Sequence, residues 1–496
     1  MEFISTRGRS PAVSPSEAIL NGLAPDGGLY IPVSLPKIDR SFVESLCTLS
    51  YAERAARVLA LYLTDYSYSE LLEYSRAAYS RFEVPENAAP TCRLSDDTYI
   101  LELYHGPTCA FKDMALTLLP HLLTAAMRKN GISDKVMILV ATSGDTGKAA
   151  LAGFADVPGT AITVFYPEDG VSTVQKLQMI TQSGENVAVF AVKGNFDDAQ
   201  NGVKRIFSDG ACAERLKSKA VRLSSANSIN WGRLVPQIVY YISAYCDLLN
   251  SKTVDWGAEV DFCVPTGNFG NILAAFYAKK SGLPIGRLIC ASNENDVLTE
   301  FLTTGRYNRL REFRKTSSPS MDILISSNVE RLLAELTGHD GEAVFEMMRS
   351  LSEKGSYAVP ETVFSAIREN FAAGSTDDAG TYQAIREAFA QGWLSDTHTG
   401  VALKVLEDLR KLEGSRRLTV VASTASPYKF AVDVNAALAG EKVRRTADEG
   451  ISALDRLSRT TGTAIPAPLS GLDNREKRFT VSVSPEDMLS ALEGVL

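Results

Sequence analysis

Lys112 stands in an unusual setting for a lysine. It is flanked by Phe111 and Met114, near the predicted start of a helix. Partial burial among such neighbours and the positive end of a helix dipole would both lower the pKa of the amine. A lysine with a lowered pKa can form a Schiff base with a carbonyl group, which makes Lys112 the candidate catalytic residue. Taken alone, the pattern favours a simpler interpretation, a solvated helix lysine paired with an acid.

A glycine-rich loop connects a predicted strand to a predicted helix further along the chain. Glycine permits positive φ, so the loop can present successive N–H groups as an anion cradle at the start of a helix. Pro265 stands where a dinucleotide-binding fingerprint would need glycine, so the loop is not of that type. The pattern fits an anion cradle and an ordinary strand–helix turn equally well. The loop consists of Gly267, Asn268, Phe269, Gly270 and Asn271.

A second loop, residues 143–148, is rich in hydroxyl groups and precedes another predicted helix. It ends in Gly147-Lys148, as a nucleotide-binding P-loop does. However, Thr142 replaces the first glycine of that motif, and Ala149 replaces its final hydroxyl residue. The second of these positions holds magnesium in P-loop enzymes, so the mismatches argue against nucleotide hydrolysis. The loop could still bind a carboxylate or a phosphate.

Two further segments place polar groups beside predicted elements. Arg233 follows Asn227 and Ser228 at the start of a long apolar helix, where its guanidinium could bind a phosphate through paired hydrogen bonds. Thr424 ends a late strand, where its hydroxyl could bind a ligand or cap the next helix. By themselves, the residues favour a capped helix with a surface arginine at position 233.

Short apolar segments that alternate with helical ones are expected to position these loops. Predicted buried strands cover 136–140, 162–166, 187–192, 260–264 and 288–291. Strands that are apolar along their whole length are typical of parallel sheets covered by helices on both faces. In such α/β folds, ligands bind at the carboxyl ends of the strands, where both loops lie.

The predicted elements divide the chain into three regions. Residues 1–95 form a helical region. Residues 96–225 form an α/β domain that carries Lys112. Residues 226–496 form a second α/β domain that carries the glycine loop, with a mostly helical insertion at about 300–395.

Local signals predict elements at both ends of the chain. Ser14, Pro15 and Glu17 have the spacing of a capping box with proline in the first helical turn. Residues 51–82 are predicted as one helical stretch, and residues 479–483 as a late strand.

The composition is that of an ordinary folded protein. The chain has 496 residues, of which 45% are hydrophobic and 22% charged, and its net charge is −8. This apolar content excludes a wholly disordered chain, and the acidic balance argues against nucleic-acid binding. No apolar run reaches the length of about 18–20 residues that spans a membrane. No signal peptide is predicted either.

Cysteine and histidine usage bears on redox compartment and metal binding. The seven cysteines are scattered and never spaced C-x-x-C, and the four histidines form no H-E-x-x-H motif. We therefore expect free thiols in a reducing compartment, the cytoplasm, and no metal site.

Taken together and in this order, these segments resemble the threonine synthases, pyridoxal-phosphate enzymes of the tryptophan-synthase-β fold type. The resemblance covers most of the chain, and no single motif carries it alone. Its main anchors are residues 5–8, 21–30, 105–108, 111–113, 142–147, 225–230 with Arg233, and 267–271. Weaker anchors are residues 318–328, 398–399 and 424–430.

The resemblance implies a fold and a cofactor. The fold would be α/β, with two parallel-sheet αβα domains and pyridoxal 5'-phosphate in the cleft between them. Lys112 would bind the cofactor covalently, and residues 267–271 would cradle its phosphate. Asp145 would lie beside the ring hydroxyl of the cofactor, and Thr424 would be the hydroxyl partner of its pyridine nitrogen.

The resemblance also implies a substrate and a reaction. The enzyme would convert O-phospho-L-homoserine and water into L-threonine and phosphate, by elimination and replacement. Such a protein would bind neither nucleic acid nor membrane, and would be a monomer or a homodimer. The substrate would be bound by Ser143, Thr146, Asn227, Ser228 and Arg233, with Arg233 on its phosphate.

Two departures from the family pattern concern the substrate pocket. Ser426 stands where the family often has histidine, and Cys109 where it often has leucine. Two alternatives to threonine synthesis stay open at this point. One is a phospholyase of the same fold that releases a 2-oxo acid, ammonia and phosphate. The other is a catalytically silent relative that only binds a metabolite, against which the intact Lys112, Asp145 and Arg233 argue.

Overall fold

Two sheets, one parallel and one parallel except for an edge strand, form the framework of the protein. The structure is a computed structural model that describes residues 1–142, 144–168, 171–414, 416–440 and 449–495. Both sheets belong to the α/β class that the apolar strands predict.

The larger sheet has six strands, of which five run parallel and an edge strand runs antiparallel. Val421 lies opposite Cys263 on one side and Ile100 on the other, so apolar side chains meet across the middle of the sheet. In spatial order the strands are Phe371–Ser375, Ile285–Ser292, Val260–Pro265, Thr419–Ser423, Thr98–Glu102 and Thr91–Arg93.

The smaller sheet has five strands, all parallel. In spatial order they are Ser482–Val483, Val187–Val192, Thr160–Pro167, Lys135–Ala141 and Val221–Ser224. Two antiparallel strand pairs stand apart from both sheets: Phe3–Ser5 with Tyr30–Pro32, and Arg306–Asn308 with Ser356–Ala358.

Helices cover both faces of each sheet. One face of the larger sheet packs Cys263 and Val421 against Val405 of a long helix, while Phe262 and Val420 on the other face join the main core. Because both faces are buried, the strands need apolar residues at every position, as the sequence pattern indicates.

The helices follow in chain order, and no helix within the described ranges is long and apolar enough to cross a membrane. They are Pro15–Asn21, Arg40–Leu46, Tyr51–Tyr62, Tyr68–Tyr79, Asp113–Leu116, Leu119–Lys129, Asp145–Phe154, Thr173–Ile180, Phe196–Ser208, Gly210–Ser218, Trp231–Asn250, Gly270–Ser281, Val297–Thr304, Val329–Leu336, Gly341–Lys354, Glu361–Asn370, Asp378–Ala390, Thr397–Glu413, Ala431–Ala439, Glu449–Thr461 and Met488–Glu493.

Local signals predict the N-terminal elements well. The capping box at Ser14 is present, with Glu17 bonded back to the cap. The single helical stretch predicted over 51–82 is wrong, because the chain forms two helices there. Each of them starts with a capping box of its own, Ser50 with Glu53 and Ser67 with Glu70.

Pairing between distant segments differs from the predicted division of the chain. Thr98–Glu102 pairs with Thr419–Ser423 in the larger sheet, and Ser482–Val483 pairs with Val187–Val192 in the smaller one. The predicted ranges 96–225 and 226–496 therefore do not coincide with the two sheets. Such pairings join residues hundreds of positions apart and leave no local signal.

The region predicted as a helical insertion also contributes to the larger sheet. Phe371–Ser375 forms its edge strand beside Ile285–Ser292, and the helix Glu361–Asn370 leads directly into it. The late strand predicted at 479–483 is shorter than expected and covers only Ser482–Val483.

Candidate active site

The loop that carries Lys112 is fastened to the end of a neighbouring strand. The N–H of Phe111 donates to the carbonyl of Thr424 (2.8 Å), and the N–H of Ser426 donates to the carbonyl of Cys109 (3.0 Å). Cys109 adopts a left-handed conformation with φ of 59°, which turns the chain toward Lys112. Two segments more than 300 positions apart therefore fix where the lysine lies.

Asp113 stabilises the same loop through hydrogen bonds to Thr108. Its carboxylate accepts hydrogen bonds from the N–H of Thr108 (2.8 Å) and from the hydroxyl of Thr108 (2.5 Å). Gly106 is required beside it, because a Cβ there would lie 2.6 Å from Asp113. Asp113 therefore shapes the loop.

The Lys112 side chain is mostly buried. It is 12% exposed, and its Nζ lies 3.2 Å from the Ser320 hydroxyl and 3.8 Å from Asp145 Oδ2. Burial lowers the pKa of Lys112, and the nearby cations Lys429 and Arg233 lower it further, while Asp145 opposes them. The shift is in the direction that the sequence predicts and favours a neutral, nucleophilic amine.

Asp145 is the first residue of the helix Asp145–Phe154 and follows the loop of the smaller sheet. Its carboxylate accepts from Lys429 Nζ (2.8 Å), from Gln175 Nε2 (2.9 Å) and from the Ser320 hydroxyl (3.4 Å). Burial opposes ionisation, but the charges of Lys429 and Lys112 outweigh it and hold the pKa of Asp145 well below its usual range. The site therefore contains a permanent carboxylate.

The glycine loop has the form of an anion cradle. Phe269 takes a left-handed conformation with φ of 61°, and the helix Gly270–Ser281 starts directly after it. Two carbonyls of the loop accept hydrogen bonds from a later segment of the chain. The Ser326 hydroxyl donates to Gly267 O (2.7 Å), and Asn328 Nδ2 donates to Asn268 O (2.9 Å). The first N–H groups of a helix have no intrahelical partner and are available to an anion.

Asn271 adds a buried donor to this cradle. Its Oδ1 accepts from the hydroxyls of Tyr240 (2.5 Å) and Tyr241 (2.6 Å), while its Nδ2 is buried without a hydrogen-bond partner among the described residues. A buried donor left unpaired is costly, and an anionic ligand would satisfy it. The loop thus fits the phosphate of a cofactor such as pyridoxal phosphate.

Arg233 is a buried cation, and the surface arginine that the residues alone favour is wrong. Its guanidinium donates to the carbonyl of Ala226 through Nη1 (2.6 Å), while Nε is buried without a partner. No carboxylate of the described ranges forms an ion pair with it. Burial lowers its pKa to about 10. A buried guanidinium in this state is suited to a second anion.

The remaining predicted site residues have less defined surroundings. Thr146 is half-buried in the first turn of the helix Asp145–Phe154, and Thr424 is 6% exposed. Asn227 is exposed, while Ser228 is half-buried and accepts at its carbonyl from Asn328 Nδ2 (3.3 Å). Ser143 lies outside the described residues.

Three residues of the site had no role predicted from the sequence: Lys429, Ser320 and His398. Ser320 contacts both Lys112 and Asp145, and its N–H donates to His398 Nε2 (3.2 Å). His398 Nδ1 bonds Asp396 Oδ2 (2.8 Å), so Nδ1 carries the proton and Nε2 accepts. All three lie in the weaker anchor segments of the resemblance, which was the only available signal.

Comparisons with known proteins show to which family the chain is similar. The family model "Threonine synthase N terminus" matches residues 2–79, "Pyridoxal-phosphate dependent enzyme" matches 91–366, and "Threonine synthase, C-terminal" matches 399–491. A threonine synthase from Pseudomonas aeruginosa is 37% identical over 489 residues, covering 97% of this chain and 95% of the relative.

A longer relative and a solved structure complete the comparison. Human "Threonine synthase-like 1" is 40% identical over 448 residues, which are 87% of this chain, and the match spans 59% of that relative's length. The crystal structure of pyridoxal-phosphate-bound threonine synthase from Brucella melitensis superposes with a TM-score of 0.88 at 36% identity, covering 100% of this chain and 99% of that one.

The matched models, the full-length identity and the shared fold lead to one conclusion. This chain belongs to the threonine synthase family of pyridoxal-phosphate-dependent enzymes.

Proposed function

We propose that the chain is a threonine synthase that converts O-phospho-L-homoserine and water into L-threonine and phosphate. One observation carries this proposal: two buried groups suited to anions lie in the surroundings of Lys112, since Arg233 acts on its amine and Gly267 lies against Ser320, which bonds that amine. The glycine loop ends in the unpaired donor Asn271 Nδ2, and Arg233 is a buried guanidinium without a carboxylate partner in the described chain. One site suits the cofactor phosphate, and the other suits a substrate that carries its own phosphate.

Each residue has a defined task in this reaction. When bound at Lys112, pyridoxal phosphate supplies an electron sink for negative charge at the α carbon of an amino acid. Arg233 holds the substrate phosphate and so orients the carbon chain. The neutral Lys112 amine accepts the proton from the α carbon as a general base, and the Ser320 hydroxyl at 3.2 Å orients it.

Burial of the site supports elimination followed by controlled addition of water. Because the Lys112 side chain is 12% exposed, the amine is shielded from bulk solvent. A proton is lost from the β carbon and phosphate leaves from the γ carbon with both electrons of the C–O bond, so that a double bond joins the β and γ carbons. The γ carbon then gains a proton and becomes the methyl group. Water adds its oxygen at the β carbon with loss of a proton, and a proton returns to the α carbon to give threonine.

The proposal also covers location and assembly. Free thiols at all seven cysteines support a cytoplasmic location, because a reducing compartment keeps such thiols unpaired. We propose a monomer or a homodimer, which light scattering of the purified protein would distinguish.

An assay of the organic product tests the proposed reaction. The protein is incubated with pyridoxal phosphate and O-phosphohomoserine, and the products are separated by chromatography. We expect threonine and phosphate in equal amounts. Accumulation of 2-oxobutyrate and ammonia would assign a phospholyase, and an unchanged substrate would assign a silent relative.

A further inference from the structure

Lys429 is a buried lysine next to the cofactor lysine, and the proposed reaction assigns it no task. Its side chain is 0% exposed. Its Nζ bonds Asp145 Oδ1 (2.8 Å), the carbonyl of Thr108 (2.9 Å) and Gln178 Oε1 (3.4 Å). These acceptors match the three N–H bonds of an ammonium group. Three acceptors therefore hold the Lys429 amine in one position.

Asp145 contacts two lysines at unequal distances. Its Oδ1 is bound by Lys429 and by Gln175, whereas its Oδ2 lies 3.8 Å from Lys112 Nζ, beyond hydrogen-bond distance. The Asp145 carboxylate thus lies near two amines but forms a hydrogen bond with only that of Lys429. Lys112 has the weaker hold on the carboxylate.

The other charged groups around Lys112 add more positive than negative charge. Lys112 faces Asp145, Asp113, Arg233 and Lys429. Asp113 is already committed to Thr108. Cations therefore outnumber the free carboxylates around Lys112, which penalises a further positive charge there.

The surroundings of Lys429 contain one more cation. Lys429 faces Asp145, Asp113, the Cys109 thiol and Lys148. Lys148 is also buried, but its amine bonds Gln182. Asp145 is the carboxylate that pairs directly with Lys429 among the described residues.

We propose that Lys429 is a positioning residue that occupies Asp145 as its permanent counter-ion and so leaves the Lys112 amine free to react. The inference rests on the proposed role of Lys112 as the cofactor lysine. Without Lys429, Asp145 would have Lys112 as its remaining lysine partner. Lys112 would then be held as an ammonium, which can neither attack a carbonyl nor accept a proton.

Competitive acetylation of the full-length chain, freed of cofactor, tests this inference. Acetic anhydride acetylates an amine only in its neutral form, so labelling of Lys112 across a pH series, read by mass spectrometry, gives its titration midpoint. For Lys429→Met we expect the midpoint to rise by about one pH unit or more, so that labelling near neutral pH falls about tenfold. Lys429→Gln, which keeps a hydrogen-bond donor, should give the same shift if Lys429→Met does not fold.

Two control variants distinguish this role of Lys429 from the loss of any nearby buried cation and from a merely structural role. Lys148→Met removes a neighbouring buried cation that does not touch Asp145, and it should move the Lys112 midpoint far less. In an Asp145→Asn background, removing Lys429 should raise the midpoint far less, because the carboxylate that would capture Lys112 is gone and only the repulsion between the two amines is relieved. A merely structural role of Lys429 would not depend on Asp145 in this way.

The inference fails if the Lys429 variants leave the Lys112 midpoint unchanged, or if Lys148→Met raises it equally. This readout needs no substrate. A protein that shows the expected shift but makes no threonine would contradict the proposed reaction and leave the role of Lys429 intact.

Discussion

The Lys112 amine lies 3.2 Å from the hydroxyl of Ser320, a residue 208 positions further along the chain. Ser320 is fixed in turn, because its N–H donates to His398 Nε2 (3.2 Å). Lys112 thus meets a hydroxyl whose residue is held in place by a buried histidine. This contact orients the amine and supplies the first prediction.

Ser320→Ala should lower kcat about three- to tenfold, the range expected for loss of one neutral hydrogen bond, while cofactor affinity changes little. Ser326→Ala is the matched control. Ser326 supports the carbonyl of Gly267, so its loss should weaken cofactor binding instead. Steady-state kinetics gives kcat, and cofactor titration gives the affinity for the cofactor, for both variants. If both variants lose affinity and rate alike, Ser320 does not orient the amine.

Lys112→Ala should lose the covalent bond to the cofactor, because its amine is the proposed nucleophile. The wild-type protein should be yellow, and reduction with borohydride should fix the cofactor on one peptide that contains Lys112. Peptide mapping checks this result. A cofactor label on any other lysine would contradict the assignment.

Gly270→Asp should raise the dissociation constant of pyridoxal phosphate by at least about tenfold, because it places a negative charge beside the cofactor phosphate. Gly270→Ala is the control: a Cβ there lies 3.4 Å from Asn328 Nδ2, an ordinary contact. An aspartate near a helix N-terminus also suits the helix dipole, so folding should persist. Equal affinity in the two variants would show that the loop is only a turn.

Arg233→Lys should reduce kcat/KM about ten- to a hundredfold, since lysine keeps the charge but loses paired hydrogen bonds of about 1.5–3 kcal/mol each. The absorbance of bound cofactor should not change, because Arg233 is assigned to the substrate. Inorganic phosphate should inhibit the parent enzyme competitively and the variant less. Near-normal kinetics with unchanged phosphate inhibition would place the substrate phosphate elsewhere.

His105 should make stability depend on pH. It bonds Glu102 Oε2 (2.8 Å) and Glu83 Oε2 (3.0 Å). Burial alone would lower the pKa of His105, but these carboxylates outweigh it and raise the pKa. A raised folded-state pKa stabilises the protein below the unfolded pKa of about 6.5, and the gain is lost as pH rises through the folded value.

His105→Gln should therefore cost roughly 1–2 kcal/mol of unfolding free energy near pH 5.5 and clearly less near pH 8.5. Urea denaturation at both pH values gives the two differences. A cost that is equal at both pH values, or larger at the higher one, would mean that the imidazole carries no stabilising charge.

Local signals are sufficient for many elements of the fold but not for their pairing. The Ser14 capping box and the apolar segment at 260–264 predict a helix start and a buried strand correctly. Phe371–Ser375 was missed because FAAGS contains small residues and no β-branched run, and its partner lies about 80 residues away. Strand order depends on such distant contacts.

The candidate site shows the same limit. Lys112 and the glycine loop have local signatures, since each precedes a helix and their residue types fit the chemistry. The sequence predicts an exposed Arg233 because no local pattern indicates that a guanidinium at the start of this helix is buried. Lys429 has no local signature at all, because its burial and its contact with Asp145 exist only once two distant segments pack together.

The origin of the oxygen atoms in the products tests the proposed reaction most directly. The enzyme is incubated with O-phosphohomoserine in water enriched in oxygen-18, and both products are analysed by mass spectrometry. If the C–O bond breaks at the γ carbon and water adds at the β carbon, threonine carries one heavy oxygen in its hydroxyl and phosphate carries none. Heavy oxygen in phosphate, with homoserine as the organic product, or release of 2-oxobutyrate in place of threonine, would contradict the proposal.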